Sequence, residues 1–432
     1  MPFIVFKTKY SEGLEQPSFV PSGTLNVDTK GIHNVANYEF INVLIEKNEI
    51  ADIVCSTETL WILKKDGTLY GCGRGNYGQQ GNNSTSDVKT LTQRLTGVKQ
   101  IACSTNTTWA LKTDGTLWGC GQGSFGQQGN SGTGNVKVFT QRLTGVKEVA
   151  CSIYTTWAIK TDNTLWGCGQ GSSGQQGNDA DKDVTAFTQR LTSVKSIKCS
   201  QSTTWAVRTD GTLWGCGYGS DGQQGSGSTS IVKKFTQRMT GVAEVACCNT
   251  TTWALKTDGT MYGCGNGAGG RQGSGSSSNV SSFTQRLTGV KKIACSNTTT
   301  WAIKTNDTLW GCGFAYWGQQ GNGKSADVTT FTQVTTNVRD VCCSDATTCI
   351  VKNDDTFLVT GKNDYSQQGS GNTSNVFSFT QRLAGVEKAV CSDSTTWANT
   401  KKGAVYGCGR GDYGQQGSGS TSNVTTFTKR TI

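Results

Sequence analysis

The sequence predicts an all-β protein, a β-propeller of four-stranded antiparallel blades, with eight blades favoured and seven as the alternative. A phrase such as "TTWALKTDGTLWGCG" (107–121) returns every 48 residues. Each copy holds four strand-like segments, and no copy shows a helical period of useful length. A fixed period of this size with four strands per unit is typical of propeller blades. The tryptophan of the phrase recurs at Trp61, Trp109, Trp157, Trp205, Trp253, Trp301 and Trp397, with Cys349 at the missing position.

Within the second unit the four predicted strands are "IACS" (101–104), "TTWALK" (107–112), "TLWGCG" (116–121) and "VFTQRL" (138–143). The Asp114-Gly115 pair between the second and third strands is a signal for a two-residue hairpin turn. A single blade exposes both of its apolar faces, so each copy needs a neighbour on either side. Closing the copies into a ring supplies those neighbours.

The repeats divide the chain into two parts. Residues 49–432 are eight whole units, whereas residues 1–48 stand apart as an attachment or capping segment. The stretch "VLIEKNEIADIVCS" (43–56) runs parallel to "LTQRLTGVKQIACS" (91–104). We therefore expect residues 43–48, or the C-terminal "FTKRTI", to complete a blade across the chain ends.

Cysteines follow the repeat. Eight of the 18 lie in the "ACS" segment and seven in "GCG", while Cys248, Cys342 and Cys349 are additional. There is no C-x-x-C zinc pattern, so the thiols are expected to be free, small and buried, lining the inner strands; inter-blade disulfides are the alternative. Free thiols suit synthesis in a cytoplasm. No apolar stretch approaches 18 residues and no secretory signal is visible, so neither a membrane span nor export by the common route is expected.

The usual tools of catalysis are scarce. The single histidine, His33, lies outside the repeats, so no Ser-His or Cys-His pair exists within them. The acidic residues mostly occupy "TDG" turns, where turn chemistry explains them. We expect a protein that is not an enzyme and binds no cofactor. Asp179, Asp181 and Asp183 have the alternate spacing of a calcium loop but lack its downstream glutamate, so no metal is expected beyond that candidate.

The formal net charge of +10 lies on the repeats. A basic surface attracts nucleic acid. Here the basic residues recur in step with the repeat, as Lys112 and Arg142 do, which is more typical of a solvated rim or of pairing between blades. Nucleic acid is therefore not the expected partner.

One loop varies between copies, the one between "GCG" and "GQQG". It concentrates aromatic residues, which dominate binding surfaces. The alternative is that these rings pack on the adjacent blade. The candidate binding residues are Tyr77, Phe125, Phe314, Tyr316, Trp317, Tyr365 and Tyr413.

The segments "GCGQGSFGQQGN" (119–130), "VKEVACS" (146–152) and "TTWAIKTDNTLW" (155–166) resemble the regulator of chromosome condensation (RCC1) repeat. That family pattern has G-Q-L-G where this chain has "GQQG". The resemblance implies a propeller, usually seven-bladed, with functions that range from guanine-nucleotide exchange and chromatin binding to enzyme inhibition and scaffolding. Fold analogy does not choose among them. No unit carries an insertion, which disfavours an exchange factor.

The stretch "PSGTLNVDTKGIHNVANYEFINVLI" (21–45) resembles a short module of phage virion proteins, with Leu25, Val27, Val35, Tyr38 and Phe40 on predicted strands. This resemblance implies an accessory virion component of a bacteriophage head, neck or tail. It would attach to other virion proteins through residues 1–48 and display the propeller, with a host-surface ligand as a further partner. Its location would be the virion, after synthesis in the host cytoplasm. The alternative is a cellular scaffold, lectin-like or inhibitor module in the cytoplasm.

Overall fold

A computed structural model describes residues 26–28, 31–33 and 49–432 of the chain. The chain divides after Asn48 into two units, which are described separately. In the first, Asn26–Asp28 and Gly31–His33 form a two-stranded antiparallel sheet in which Val27 pairs with Ile32. The strands expected around Val35, Tyr38 and Phe40, and the closing segment 43–48, lie outside the described residues.

The unit Glu49–Ile432 consists of eight four-stranded antiparallel sheets, each built from four strands consecutive in the chain. The predicted fold class and the count of eight blades are confirmed, and the seven-blade alternative is wrong. We number the blades 1 to 8 along the chain and the strands of each blade one to four. The first strands are Ile50–Cys55, Val98–Cys103, Val146–Cys151, Val194–Cys199, Val242–Cys247, Val290–Cys295, Val338–Cys343 and Val386–Cys391. The second strands are Thr59–Lys64, Thr107–Lys112, Thr155–Lys160, Thr203–Arg208, Thr251–Lys256, Thr299–Lys304, Thr347–Lys352 and Thr395–Thr400.

The outer half of each blade is built from the remaining two strands. The third strands are Leu69–Gly73, Leu117–Gly121, Leu165–Gly169, Leu213–Gly217, Met261–Gly265, Leu309–Gly313, Phe357–Gly361 and Val405–Gly409. The fourth strands are Val88–Leu95, Val136–Leu143, Val184–Leu191, Val232–Met239, Val280–Leu287, Val328–Thr335, Val376–Leu383 and Val424–Arg430. The only helical segment of the described residues is the 3₁₀ turn Ala268–Gly270. No helix in this described part is long and apolar enough to cross a membrane.

The position of each strand in a blade matches the polarity of its side chains. Every first strand contacts the first strands of both neighbouring blades, so these strands surround the central axis. The second strand is almost wholly buried, as in Thr107–Lys112. The fourth strand, as in Val136–Leu143, is mostly exposed and forms the rim.

The apolar core lies between blades rather than within one. At the junction of blades 2 and 3, Trp109, Leu117, Val146 and Ala158 form one buried cluster. Phe187, from the fourth strand of blade 3, meets Trp109 edge to face with ring centroids 5.7 Å apart. Offset and edge contacts of this kind are the favoured geometry for aromatic pairs. Since each cluster draws on two blades, the blades stabilise one another around the ring.

The turn between the second and third strands has three loop residues rather than the two expected from Asp114-Gly115. The amide of Gly115 donates to the carbonyl of Lys112, and Gly115 itself has φ +79°. The Asp114 carboxylate accepts the amide of Thr116 at 2.8 Å. This is a type I turn followed by a left-handed residue, the common three-residue hairpin.

The ring closes without any exchange of strands. Each pair of neighbouring blades shares one isolated β-bridge in equivalent positions, and the bridge Thr90↔Ser418 joins blade 8 to blade 1 in the same way. At this junction Ser394 Oγ donates to the carbonyl of Thr57 at 3.2 Å. The expectation that "FTKRTI" completes a blade across the chain ends is wrong, because Val424–Arg430 is the fourth strand of its own blade. Each unit starts at the axis and ends at the rim, so none lacks a strand.

Candidate binding face

Two sets of loops lie on the same face of the ring, because successive strands in a blade are antiparallel. One set joins first to second strands and opens with a Cys-Ser pair, replaced by Cys247-Cys248 in blade 5; the other joins third to fourth strands. We call this surface the CS face. Buried glutamines tie the two sets together: Gln79 Nε2 donates to the carbonyl of Thr105 in the next blade at 3.4 Å, and Gln367 Nε2 to that of Asp393 at 2.9 Å.

The "GQQG" sequence is required by this local fold. Gly78 has φ +79°, and a β-carbon there would lie 2.6 Å from the Cα of Lys137 in the adjacent blade. Gln79 Oε1 then accepts the amide of Tyr77 at 2.9 Å, which closes the turn. The loop is therefore fixed by its neighbour, and the blades that carry "GQQG" present the residues before its first glycine in the same way. Blade 5 differs in having Arg271 at the first glutamine, and blade 7 has Ser366 at the first glycine.

At the centre of the CS face is a cavity of ≈ 370 Å³, lined by the loops that join first to second strands in all eight blades. Its volume falls within the range of ligand pockets in proteins. The third residue of each loop decides the chemistry of the wall, and it changes from blade to blade. In chain order these residues are Thr57, Thr105, Ile153, Gln201, Asn249, Asn297, Asp345 and Asp393.

Half of this wall is a chain of hydrogen bonds between blades, which we call the polar arc (Gln201, Asn249, Asn297, Asp345 and Asp393). The side-chain oxygens of its last four residues each accept the backbone N–H of the preceding blade's loop, and Gln201 contributes the first of these N–H groups. The distances are 3.1 Å from Gln201 N to Asn249 Oδ1, 3.0 Å from Asn249 N to Asn297 Oδ1, 2.7 Å from Asn297 N to Asp345 Oδ1 and 2.9 Å from Asp345 N to Asp393 Oδ1.

The acidic end of the polar arc is electrostatically crowded. Partial desolvation in the cavity, and then the negative charge of Asp345, raise the pKa of Asp393 above its ordinary value. Two neighbouring carboxylates favour a ligand that donates hydrogen bonds or carries positive charge. The opposite wall, with Thr57, Thr105 and Ile153, has no such acceptor carboxylate.

Outside the cavity, aromatic rings and cationic side chains alternate along the third-to-fourth-strand loops of neighbouring blades on one side of the ring. The aromatic residue that precedes "GQQG" is covered by the cation that opens the corresponding loop of the next blade. We call this set the aromatic arc. From cation to ring centroid the distances between blades are Lys362 to Trp317 5.1 Å, Arg410 to Tyr365 5.0 Å and Arg74 to Tyr413 4.8 Å. Within blade 8, Arg410 also lies 5.2 Å from the Tyr413 centroid.

Each cation of the aromatic arc also has an acidic partner. Arg74 pairs with Glu58 at 2.6 Å, Arg410 with Asp412 at 2.7 Å and Lys362 with Asp364 at 2.9 Å. The arc is therefore close to neutral. Cation–π contacts of this type contribute on the order of 0.5–1 kcal/mol each at exposed positions.

The other predicted residues differ in exposure. Phe314 is half-buried with the guanidinium of Arg271 5.0 Å from its ring centroid. Tyr316 is 70% exposed, and its ring meets that of Trp317 edge to face at 5.8 Å. Phe125 packs against Tyr154 of the next blade at 5.1 Å. Tyr77 is half-buried. The contacts across blades match the packing alternative; the binding role of these residues stays a prediction.

The thiols of "GCG" take part in the junctions. All eighteen cysteines are free in the structure. The Cys120 thiol donates to the carbonyl of Gln79 in the preceding blade at 3.3 Å, and six further "GCG" thiols do the same to the equivalent carbonyl. Burial raises the pKa of Cys72 to about 12. These seven thiols lie in third strands, so the cysteines on the inner strands are the eight of "ACS", as expected, and Cys342.

The basic residues beside the hairpin turns stack on their own blades. Lys112 Nζ lies 4.6 Å from the Trp118 ring centroid, and Lys160 Nζ 4.4 Å from that of Trp166. In "TQR", burial lowers the pKa of Arg142. The repeated cations are thus engaged with rings or partly desolvated, rather than gathered in a groove.

The three aspartates of the calcium-loop candidate do not share a common partner. Asp183 Oδ1 accepts the amide of Gly171 at 3.0 Å, and Asp181 pairs with Lys233 at 2.5 Å. Asp179 has φ +62°. Among the described residues, the one group of three or more His, Cys, Asp or Glu side chains with converging ligand atoms is Cys342, Cys349 and Cys391.

Two features were not found from the sequence. The sequence signal for the cavity wall is the changing third residue of each loop that opens with the "ACS" cysteine. The thiol group had a visible signal, because Cys342 and Cys349 stand outside both cysteine series. Only the pairing of strands shows that the two face each other.

The comparisons with known proteins agree with this geometry. Models of the regulator of chromosome condensation (RCC1) repeat match residues 66–111 and 98–127. Residues 66–127 are therefore similar to RCC1 repeats, and the β-propeller fold agrees with that similarity. No curated protein sequence matches.

Solved structures support the fold. Human WBSCR16 superposes with a TM-score of 0.59 at 19% identity, covering 76% of this chain and 93% of that one. Prp20p from Saccharomyces cerevisiae, described with its binding to Gsp1p and histones, gives 0.58 at 16% identity, with 74% and 87% covered. Yeast RCC1 (Prp20) bound to Kap60 gives 0.59 at 13%, with 93% and 90% covered.

Proposed function

We propose that this chain is a non-enzymatic interaction protein that binds another protein through the CS face. The observation that carries the proposal is the aromatic arc, because it departs from an otherwise regular repeat on one side only. Blades 6, 7, 8 and 1 supply its rings and cations. At the same ring position blades 3, 4 and 5 have Ser173, Asp221 and Gly269.

The chemistry of the arc suits a protein partner. Trp, Tyr and Arg are the side chains most enriched at the energetic centres of protein interfaces. Rings held by cations are already ordered, so binding costs less side-chain entropy. Since Glu58, Asp364 and Asp412 neutralise the cations locally, the arc selects by shape and ring contact more than by net charge.

The cavity extends the same surface. A partner lying over the arc can place a protruding amine or guanidinium into the cavity, where Asp345 and Asp393 accept hydrogen bonds. The related folds described above are seen or described binding proteins, namely Kap60, Gsp1p and histones. This supports a binding role for the fold without identifying the partner.

Within this function, we propose attachment to a bacteriophage particle through residues 1–48, with the propeller displayed outward. The support is the resemblance of residues 21–45 to a phage virion module. The protein would be made in the host cytoplasm and reside in the virion. A cytoplasmic scaffold, lectin-like or inhibitor module is the alternative.

The face is tested by transplanting a loop from the chain itself. Residues 362–365 ("KNDY") and 410–413 ("RGDY") are replaced by "QGSS", the sequence at 170–173 of blade 3. The matched control replaces 218–221 ("YGSD") of blade 4 by the same four residues. Partners are captured from the source lysate with each protein. Loss of a partner in the first variant and its retention in the control supports the proposal; equal recovery from both contradicts it.

The attachment is tested with a chain that begins at Glu49. This chain should keep a β-rich circular dichroism spectrum, since all eight blades lie within Glu49–Ile432, and should be absent from phage particles purified on a density gradient. The full chain should co-purify with the capsid proteins. Absence of the full chain from the particles, or presence of the truncated one, contradicts virion attachment through residues 1–48. Neither result bears on the proposal that the aromatic arc binds a protein.

A further inference from the structure

Blade 7 breaks the repeat at its core. In the other seven blades a second-strand tryptophan lies opposite a third-strand glycine, and a β-carbon on Gly311 would fall 2.4 Å from the Trp301 ring. In blade 7 the facing pair is Cys349 and Val359. The valine occupies part of the space the indole would fill, so the change is a matched exchange of both residues.

The exchange brings a thiol to the junction of blades 7 and 8. Cys349 is fully buried and lies in register opposite Cys342 on the first strand. Most other blades have alanine at the position of Cys342, as at Ala102. Cys391, from the first strand of blade 8, completes the group. The three Sγ atoms all lie within 4.8 Å of one another.

The distances suit one metal ion. A thiolate binds zinc at about 2.3 Å, so three sulfurs around one ion are separated by about 4 Å. A shift of less than one ångström per sulfur would bring the three atoms to that spacing. The group offers sulfur alone, and Leu383, Val386 and Phe427 pack around it. A ligand set of thiolates selects soft ions such as Zn²⁺ or Cu⁺ over the hard oxygen-preferring ones.

We propose that Cys342, Cys349 and Cys391 form a site for a soft, thiophilic metal ion that links blade 7 to blade 8. On binding, three S–H bonds give way to three metal–sulfur bonds and the protons pass to solvent, with no change of oxidation state. The ion joins two blades where the tryptophan of the repeat is missing. The site is independent of the proposed binding face.

The test uses the full chain, reduced and kept free of oxygen, with Zn²⁺ alone or Cu⁺ alone as the probe. Binding is measured by competition with a chelator, and X-ray absorption at the metal edge gives the ligands. We expect one tight equivalent, three sulfur ligands at about 2.3 Å and a rise in the melting temperature. The two probes decide between a divalent and a monovalent ion. A chain that takes up neither tightly overturns the proposal.

Matched variants separate this site from the other fifteen thiols. Cys342→Ala, and Cys349→Trp combined with Val359→Gly, restore residues found in other blades and so preserve the fold. Each should lose the tight equivalent. Cys248→Ser removes an additional thiol in the loop that follows the first strand of blade 5, at the central cavity, and should retain it. Retention of the tight equivalent in the first two variants, or its loss in Cys248→Ser, would refute the assignment, as would a Cys342–Cys349 disulfide that persists in reductant.

Discussion

Thr90 of blade 1 is bridged to Ser418 of blade 8 just as Asn82 of blade 1 is bridged to Val138 of blade 2. The junction of blades 8 and 1 therefore has the same backbone geometry as the other seven. Ile432 packs against the apolar cluster that contains Ile50 and Ile53. In the numbering of the repeat, Ile432 comes one position before Glu49. The first and last residues of the repeat region can therefore be joined directly.

A circular permutation tests this equivalence. A chain running from Gly97 to Ile432 and then directly from Glu49 to Thr96 should fold, with a loss of no more than about 1 kcal/mol. Glu49 is replaced by Gly, since the equivalent residue Gly97 has φ +69°. Thermal unfolding followed by circular dichroism is the measurement. Aggregation of the permuted chain would show that residues before Glu49 take part in closure.

The tryptophan–glycine contact predicts a position-specific cost. A β-carbon on Gly119 would lie 2.5 Å from the Trp109 ring, so Gly119→Ala should destabilise by about 1–3 kcal/mol through overpacking. Gly134→Ala is the control, because nothing lies within 4 Å of its β-carbon position, and it should change stability by less than about 0.5 kcal/mol. Denaturant unfolding compares the two. Equal effects would contradict the contact.

Phe314 and Tyr316 should differ when replaced by serine. Phe314 packs over Gly269 and Arg271, so Phe314→Ser should cost about 1–3 kcal/mol. Tyr316 is exposed, and Tyr316→Ser should stay within about 0.5 kcal/mol. Partner binding is then read from Tyr316→Ser, where folding is not in question. A large loss of stability in Tyr316→Ser would return that ring to a packing role.

Stability should fall at alkaline pH. Burial raises the pKa of Cys72 to about 12 and holds that of Cys120 well above its ordinary value, whereas unfolded thiols ionise near about 8.5. The unfolded state thus binds fewer protons above that pH. The contribution of each buried thiol to the free energy of unfolding is fully present below about pH 8.5. It is lost as the pH rises toward 12, by up to about 1.4 kcal/mol per pH unit for each thiol. Denaturant unfolding from pH 7 to 10 measures it, and Cys120→Ser should lessen the slope.

Cys248 should be the thiol that alkylates first at pH 7. A hydrogen bond from Cys295 lowers the pKa of Cys248 to about 6, and the residue lines the central cavity. The thiolate is the reactive form. Peptide mass spectrometry after brief iodoacetamide treatment identifies the site, and Cys248→Ser should slow the first labelling step. Earlier labelling of Cys72 or Cys120 would contradict the prediction.

Much of the fold could be predicted from the sequence because the pattern of each strand recurs in eight copies. The second-unit strands predicted at 107–112 and 116–121 appear at Thr107–Lys112 and Leu117–Gly121. The prediction that "FTKRTI" closes the ring is wrong, and the physical reason is that a repeat has no intrinsic first strand. Only the observation that Val98–Cys103 lies at the axis and Val136–Leu143 at the rim shows that unit and blade coincide.

The candidate site was less predictable. The rings at Tyr365 and Tyr413 were identified, but their cations, Arg410 and Arg74, come from the following blade's loop. A linear motif does not show such contacts across copies. The same holds for the Cys342, Cys349 and Cys391 cluster, whose third member looks in the sequence like any other repeat cysteine.

The polar arc has one more consequence. A ring of identical blades would offer a ligand on its axis eight interchangeable orientations, and the bound complex would be a rotational mixture. The hydrogen bonds from Gln201 to Asp393 run one way around half of the cavity and end at a carboxylate pair. Only one rotation then brings a donor group to that pair. The propeller thus has the construction of a symmetric ring but binds a ligand on its axis in a single orientation.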